Sequence, residues 1–107
     1  MRALLPAGLG LITAGAALAQ QPVPATCSRD LFQNEAGMQR DLTRLREVGT
    51  ASQPEQCRVW REHVSFLQKA RGVFATCLTG ARREQNVRLM DESLAEYRVL
   101  LADRCRR

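Results

Sequence analysis

The chain has 107 residues, of which 25% are charged, and a formal net charge of +5 at pH 7. This length allows one domain with a thin hydrophobic core and excludes a large multidomain protein. The positive charge favours an acidic partner, and we expect no nucleic-acid partner because the chain carries no nucleic-acid-binding motif.

The amino-terminal segment has the pattern of a secretory signal. Arg2 supplies positive charge, an apolar run follows it, and Ala17-Leu18-Ala19 offers small residues for cleavage. We therefore predict a signal peptide over residues 1–19 and a mature chain that starts near Gln20. An uncleaved membrane anchor is the alternative, although Pro6 interrupts a run that is marginal for a span.

The cysteines and the basic residues indicate where the protein folds. All 4 cysteines follow the predicted signal peptide, and an even number in a short exported chain is typical of disulfides. Lys69 is the one lysine among 16 basic residues, which indicates a GC-rich bacterial genome. We expect a periplasmic protein of a Gram-negative bacterium, and a secreted destination is equally compatible.

Apolar residues at helical spacing begin after a predicted flexible linker over residues 20–26. The linker leads into a domain predicted over residues 27–107. Ser28 is a candidate N-cap for the first helix, and Gly49 is its predicted end. The expected buried side of this helix carries Leu31, Met38, Leu42, Leu45 and Val48.

The second helix is predicted to begin at Ser52-Gln53-Pro54-Glu55, which combines a capping box with a proline in the first turn. Gly80 is its predicted end. Its apolar positions are Cys57, Trp60, Val64, Leu67, Phe74 and Leu78.

The third helix is predicted from about Arg82 to Arg104. Its apolar positions follow an alternating three- and four-residue spacing: Val87, Met90, Leu94, Tyr97 and Leu101. No segment alternates with period two and the turns are short. The sequence therefore predicts an all-α, up-down-up three-helix bundle, in which each helix touches the two others.

The helix lengths decide which cysteines can pair. Cys57 and Cys77 lie at opposite ends of the second helix, about 30 Å apart, whereas a disulfide needs Cα atoms within about 7 Å. Pairing Cys27 with Cys57 or with Cys105 would span the length of the bundle. The sequence therefore predicts the disulfides Cys27–Cys77 at one end and Cys57–Cys105 at the other.

Neither catalytic residues nor metal ligands are predicted. The carboxylates are dispersed along helix faces, no Ser, His and Asp arrangement is readable, and the thin bundle leaves little room for a deep pocket. A zinc site needs four ligands together, but each end of the bundle holds two cysteines. We therefore expect a non-enzymatic protein without a cofactor.

His63, the 1 histidine of the chain, lies inside the apolar arc of the second helix. One interpretation is a partly buried histidine with a single hydrogen bond. The other is a pH-sensitive contact, since histidine changes charge between about pH 5 and 8.

Two surfaces are candidates for a partner. One is a basic cap that includes Arg58, Arg61, Arg104, Arg106 and Arg107. The other is a stripe on the second helix with seven-residue spacing: Val59, Phe66 and Val73. Packing within the bundle and solvation of the charged ends are the structural interpretations of the same residues, and a homodimer or a contact with a membrane surface stays open.

The sequence thus favours an exported, non-enzymatic helical protein that acts through protein–protein contacts, as an inhibitor, adaptor or accessory subunit. The alternative is a thiol-redox or metal-binding periplasmic protein. The number of free thiols in the oxidised protein discriminates between the two.

Overall fold

A computed structural model describes residues 23–106, so the predicted signal peptide and the start of the predicted linker lie outside the described residues. The described chain forms α1 (Cys27–Glu47), a 3-10 turn (Val48–Thr50), α2 (Gln53–Cys77) and α3 (Gly80–Arg104). No strand occurs between residues 23 and 106. The predicted all-α helical bundle with two disulfides is confirmed. Between residues 23 and 106, none of the helices combines the length and the hydrophobicity that a membrane span requires.

The start of α2 follows the local sequence closely. The Glu55 amide donates to the Ser52 hydroxyl at 3.4 Å, and Pro54 lies in the first turn, where its missing N–H costs nothing. The Glu55 carboxylate pairs with Arg58. Ser52 is therefore an N-cap, as predicted.

The ends of the other helices differ from the predictions. α1 begins at Cys27, before the predicted cap Ser28, and Gly49 lies within the 3-10 turn that follows Glu47. α2 ends at Cys77, and Gly80 opens α3 with φ of +60°. A left-handed glycine here lets the chain reverse within two residues, so Gly80 marks the start of α3.

α2 is the central helix of the molecule. α1 and α3 both pack against α2, but no Cα atom of α1 lies within 8 Å of a Cα atom of α3. The expectation that each helix touches the two others therefore does not extend to close backbone packing between α1 and α3. The surface between α1 and α3, which holds two depressions lined by side chains of all three helices, is called the groove below.

The hydrophobic core is small and lies mainly between α2 and α3. It is formed by Leu67, Ala70, Met90 and Leu94, and Leu67 is the one large side chain buried to 1% exposure among the described residues. At the edge of this interface, Arg71 donates to the Asp91 carboxylate at 2.6 Å. This hydrogen bond lowers the pKa of Asp91 below its ordinary value.

The face that α1 turns toward α2 was not predicted. Three of its buried residues, Cys27, Asn34 and Asp41, have seven-residue spacing, and Val48 continues this row in the 3-10 turn. Of the predicted apolar side, Val48 is buried, three leucine and methionine positions are half-buried, and Leu42 is 46% exposed. Because α1 contacts only one other helix closely, a narrow stripe suffices for its packing.

Both disulfides have the predicted connectivity. Cys27 and Cys77 join the start of α1 to the end of α2 with Cα atoms 5.4 Å apart. Cys57 and Cys105 join the start of α2 to the end of α3 at 5.8 Å. Each end of the central helix is thus fixed covalently to a different neighbour.

Candidate binding surface

A cleft of about 650 Å³ lies beside the Cys57–Cys105 disulfide. It opens where the start of α2 meets the end of α3. Its lining residues are Gln53, Pro54, Cys57, Arg61, Asp103, Arg104, Cys105 and Arg106. Three of the predicted cap arginines therefore face one concave site, and Arg107 lies outside the described residues.

Covalent and hydrogen bonds hold the two walls of the cleft together. The disulfide joins them at the floor. The side-chain amide of Gln53 donates to the Arg104 carbonyl, one of the last carbonyls of α3, which lack a partner within the helix. The start of α2 and the end of α3 are therefore held together, and this fixes the backbone positions of the arginines relative to each other.

Two of the cleft arginines each contact a neighbouring group of the protein in a way that leaves several guanidinium N–H donors available. The Arg104 guanidinium carbon lies 5.8 Å from the Trp60 ring centroid, a cation–π arrangement. Arg106 Nε donates to the Ala102 carbonyl at 3.3 Å. Within residues 23–106, no carboxylate lies within 4.0 Å of the basic nitrogens of these two residues or of Arg61.

Arg58 differs from the other cap arginines because it is bound within the protein. It pairs with Glu55 one turn earlier and with Glu62 one turn later, the latter at 2.8 Å. The hydrogen bond with Glu55 raises the pKa of Arg58 above its ordinary value. Glu62 also accepts from Arg44 of α1. Arg58 therefore belongs to a surface network that links α1 and α2.

The apolar stripe of α2 lies in the interface with α1. Val59 is 5% exposed, and Phe66 and Val73 are half-buried. A Cβ atom placed on Gly37 would lie 2.6 Å from Phe66 Cε1, which shows how closely α1 approaches the ring. Phe66 and Val73 also line a depression of about 390 Å³ together with residues of α1, so their role as a partner surface stays a prediction.

His63 is buried and paired with an acidic residue of α1. Its Nδ1 lies 3.0 Å from Asp41 Oδ2, and the two residues are 4% and 8% exposed. The Tyr97 ring of α3 meets the imidazole edge-on, with centroids 4.7 Å apart. His63 therefore lies at the junction of all three helices.

Asn34 and Asp41 were missed as functional or structural positions. Asn34 donates to the Ala70 carbonyl of α2 at 3.2 Å, so both buried polar side chains of α1 have a partner on α2. A signal was present in the sequence, since both residues share the seven-residue spacing of Cys27 and Val48. Hydrophobic periodicity does not detect such positions.

The groove between α1 and α3 contains two depressions. The one nearer the Cys27–Cys77 end has a volume of about 390 Å³ and is lined by Leu31, Asn34, Glu35, Met38, Phe74, Leu78, Arg82, Asn86 and Met90. The other, of about 320 Å³, is lined by Leu45, Trp60, Glu96, Tyr97 and Leu100. Each depression takes side chains from all three helices.

The described residues contain no cluster of three or more His, Cys, Asp or Glu side chains placed to hold a metal ion. The 4 cysteines all belong to disulfides. The charged side chains that line the cleft are the guanidinium groups of Arg61, Arg104 and Arg106 and the carboxylate of Asp103.

Comparison of the chain with protein-family models, with curated proteins and with solved structures finds no match.

Proposed function

We propose that the protein is exported to the periplasm and acts there, without catalysis, by binding a partner protein that presents carboxylates to the arginine cleft. The observation that carries this proposal is the convergence of Arg61, Arg104 and Arg106 on one cleft, without a carboxylate partner among the described residues. Carboxylates of a partner would form ion pairs with these arginines, and this attraction would favour binding.

Guanidinium groups suit this task for two reasons. A planar guanidinium matches a carboxylate with two parallel hydrogen bonds, which gives direction as well as attraction. Arg104 and Arg106 are already restrained by Trp60 and by the Ala102 carbonyl. Less side-chain freedom is then lost when the partner binds, which favours affinity.

The absence of catalysis is supported by the groups that line the cleft. Besides the arginines, Asp103 is the one ionisable side chain among the lining residues. Arginine stays protonated at any pH a protein tolerates, so it does not serve as a general acid or base. A cleft of this composition binds anions and positions them.

Export is supported by the cysteines and by the amino-terminal pattern. Two disulfides in a small domain are typical of an oxidising compartment outside the cytoplasm. Arg2, the apolar run and Ala17-Leu18-Ala19 add the signal that reaches such a compartment. The periplasm of a Gram-negative bacterium combines both features.

The test compares two charge reversals of equal size. Arg61→Glu/Arg106→Glu alters the cleft, and Arg83→Glu/Arg88→Glu alters two exposed positions of α3 outside it. Each purified variant is crosslinked in periplasmic extract, and captured proteins are quantified by mass spectrometry. We expect the cleft variant to lose at least one acidic protein that the wild type and the control both capture.

Salt and lipid provide two further readouts in the same experiment. Capture by the wild type should decline as ionic strength rises, because exposed charges are screened. Equal capture by both variants would contradict the proposal. Cleft-dependent sedimentation with vesicles of anionic lipid, and no cleft-dependent protein, would replace the protein partner with a membrane surface.

A further inference from the structure

We infer that the groove between α1 and α3 receives one amphipathic helix of the acidic partner, which would complete a four-helix bundle. This inference rests on the proposed function, because the same partner would meet the arginine cleft. It adds a second, apolar contact to an interaction that would otherwise be purely electrostatic.

The walls of the groove have the spacing of a helix-packing surface. On α1, Leu31, Met38 and Leu45 are seven residues apart and half-buried. The α3 wall includes Met90 and Tyr97, also seven residues apart. Rows at this spacing accept the side chains of a nearly parallel helix, as in helical bundles.

The separation of α1 and α3 leaves room for that helix. Packed helices have axes about 8–10 Å apart. Cα atoms of α1 and of α3 both come within 8 Å of Cα atoms of α2, but no Cα atom of α1 lies within 8 Å of a Cα atom of α3 among the described residues. A fourth helix above α2 would contact α1 and α3 at once.

The lining resembles a protein interface in composition. Trp60 and Tyr97 line one depression and Met38, Phe74 and Met90 line the other. Aromatic side chains and methionine are enriched where proteins bind each other, and four of these five are half-buried rather than fully enclosed. They would gain burial when a helix covers them.

The length and charge of the occupant follow from the same residues. Leu31 and Leu45 are fourteen residues apart on α1, which corresponds to about 21 Å, or four helical turns. At one end the Arg104 guanidinium covers Trp60, so the groove adjoins the arginine cleft. The occupant should therefore carry carboxylates at the end that meets Arg104.

A second copy of the chain does not fit this description. The exposed large apolar side chains of the three helices are Phe32 and Leu42 on α1, and Leu89 and Val99 on α3. Each pair is ten residues apart, about 15 Å along the helix axis. Isolated side chains at this distance form no continuous stripe, so a partner with its own apolar helix face is required.

The experiment uses a synthetic amphipathic peptide of about four turns, with leucines at heptad positions and glutamates clustered at one end. A peptide of the same composition in scrambled order is the control. Trp60, the 1 tryptophan of the chain, lies in the groove and reports binding by a fluorescence change. Calorimetry gives the affinity, and we expect the ordered peptide to bind about tenfold or more tightly than the scrambled one.

Variants locate the peptide. Leu45→Glu and Leu31→Glu, at the two ends of the groove, should each weaken binding about tenfold or more, because a carboxylate would be buried against an apolar helix face. Phe32→Glu is the matched control on α1, since Phe32 is 71% exposed and does not line the groove. It should change the affinity less than about twofold. Circular dichroism checks that each variant is folded.

The outcomes separate this inference from the proposed function. Equal binding of both peptides, or equal effects of the groove and control variants, would overturn the groove inference. The proposed function would survive that result if capture of the acidic partner still depended on Arg61 and Arg106. Groove-dependent peptide binding without cleft-dependent capture would support the groove and contradict the cleft.

Discussion

At the scale of single residues, Asp41 of α1 and His63 of α2 form a buried polar pair. Nδ1 of the imidazole lies 3.0 Å from the carboxylate, and neither side chain is in contact with bulk water to a significant extent. A buried carboxylate without a partner destabilises the folded protein. The hydrogen bond between the two side chains therefore offsets the desolvation cost of burying both of them. The edge of Tyr97 closes the third side.

Removing one member of this pair should destabilise the protein strongly. We expect Asp41→Leu or His63→Leu to lower the free energy of unfolding by about 3 kcal/mol, because the remaining partner stays buried alone. The double variant Asp41→Leu/His63→Leu should recover most of this loss, since no unpaired polar group remains. Urea unfolding followed by circular dichroism measures all three.

The same variants decide between the two interpretations of His63. If the residue is a pH-sensitive contact, the double variant should lose part of the dependence of stability on pH between about 5 and 8. An unchanged dependence would leave His63 as a structural hydrogen-bonding residue. Additive effects of the two single substitutions would contradict a coupled pair.

At the scale of helices, the elements were predictable and one packing face was not. Helix positions and the disulfide pairing follow from local periodicity and from the length of α2. Both properties depend on residues that are close together in the sequence. The polar face of α1 is different, because Asp41 needs His63 and Asn34 needs the Ala70 carbonyl, 36 residues away. Burial of a polar side chain depends on a partner from another helix, which periodicity does not identify.

The candidate site was predictable to a similar degree. The helix order places basic residues of α2 and α3 at one end, so the basic cap follows from topology. Which of these arginines pairs with a carboxylate of the protein, and which does not, depends on side-chain geometry. Glu55 and Glu62 flank Arg58 at distances of one turn, a spacing that was readable, whereas the stacking of Arg104 on Trp60 joins residues of two helices.

Gly37 and Gly72 provide a matched pair of substitutions on the helices. Glycine within a helix costs up to about 1 kcal/mol relative to alanine, so Gly72→Ala should stabilise the protein, because nothing lies within 4 Å of its added Cβ. Gly37→Ala should instead destabilise it by about 1 kcal/mol or more, because the methyl group would meet Phe66 Cε1 at 2.6 Å.

A relief variant tests the cause of the Gly37 effect. Phe66→Leu removes the ring edge that faces α1, so Gly37→Ala should cost less in that background than in the wild type. Thermal unfolding measures the four free energies of this cycle. If Gly37→Ala stabilised the protein as much as Gly72→Ala, the close approach of α1 to Phe66 would be wrong.

At the scale of the whole molecule, the disulfides compensate for the thin core. Leu67 is the one large side chain of the described residues that is fully buried, and the buried face of α1 includes the polar residues Asn34 and Asp41. Each disulfide closes a long loop, with sequence separations of 50 and 48 residues. The chain-entropy model assigns about 4 kcal/mol to a loop of that length, comparable to the entire net stability of a small domain.

Reduction of both disulfides should therefore largely unfold the protein. Removal of a single disulfide should instead have a local effect, which depends on which disulfide is removed. Cys27→Ser/Cys77→Ser should release α1, since α1 does not pack closely on α3. α2 and α3 would keep their disulfide and the core around Leu67. Hydrogen exchange should then show loss of protection in α1 first, with α2 and α3 still protected. A reduced wild-type protein that keeps its helical circular dichroism and its melting temperature would show that the core suffices without the disulfides.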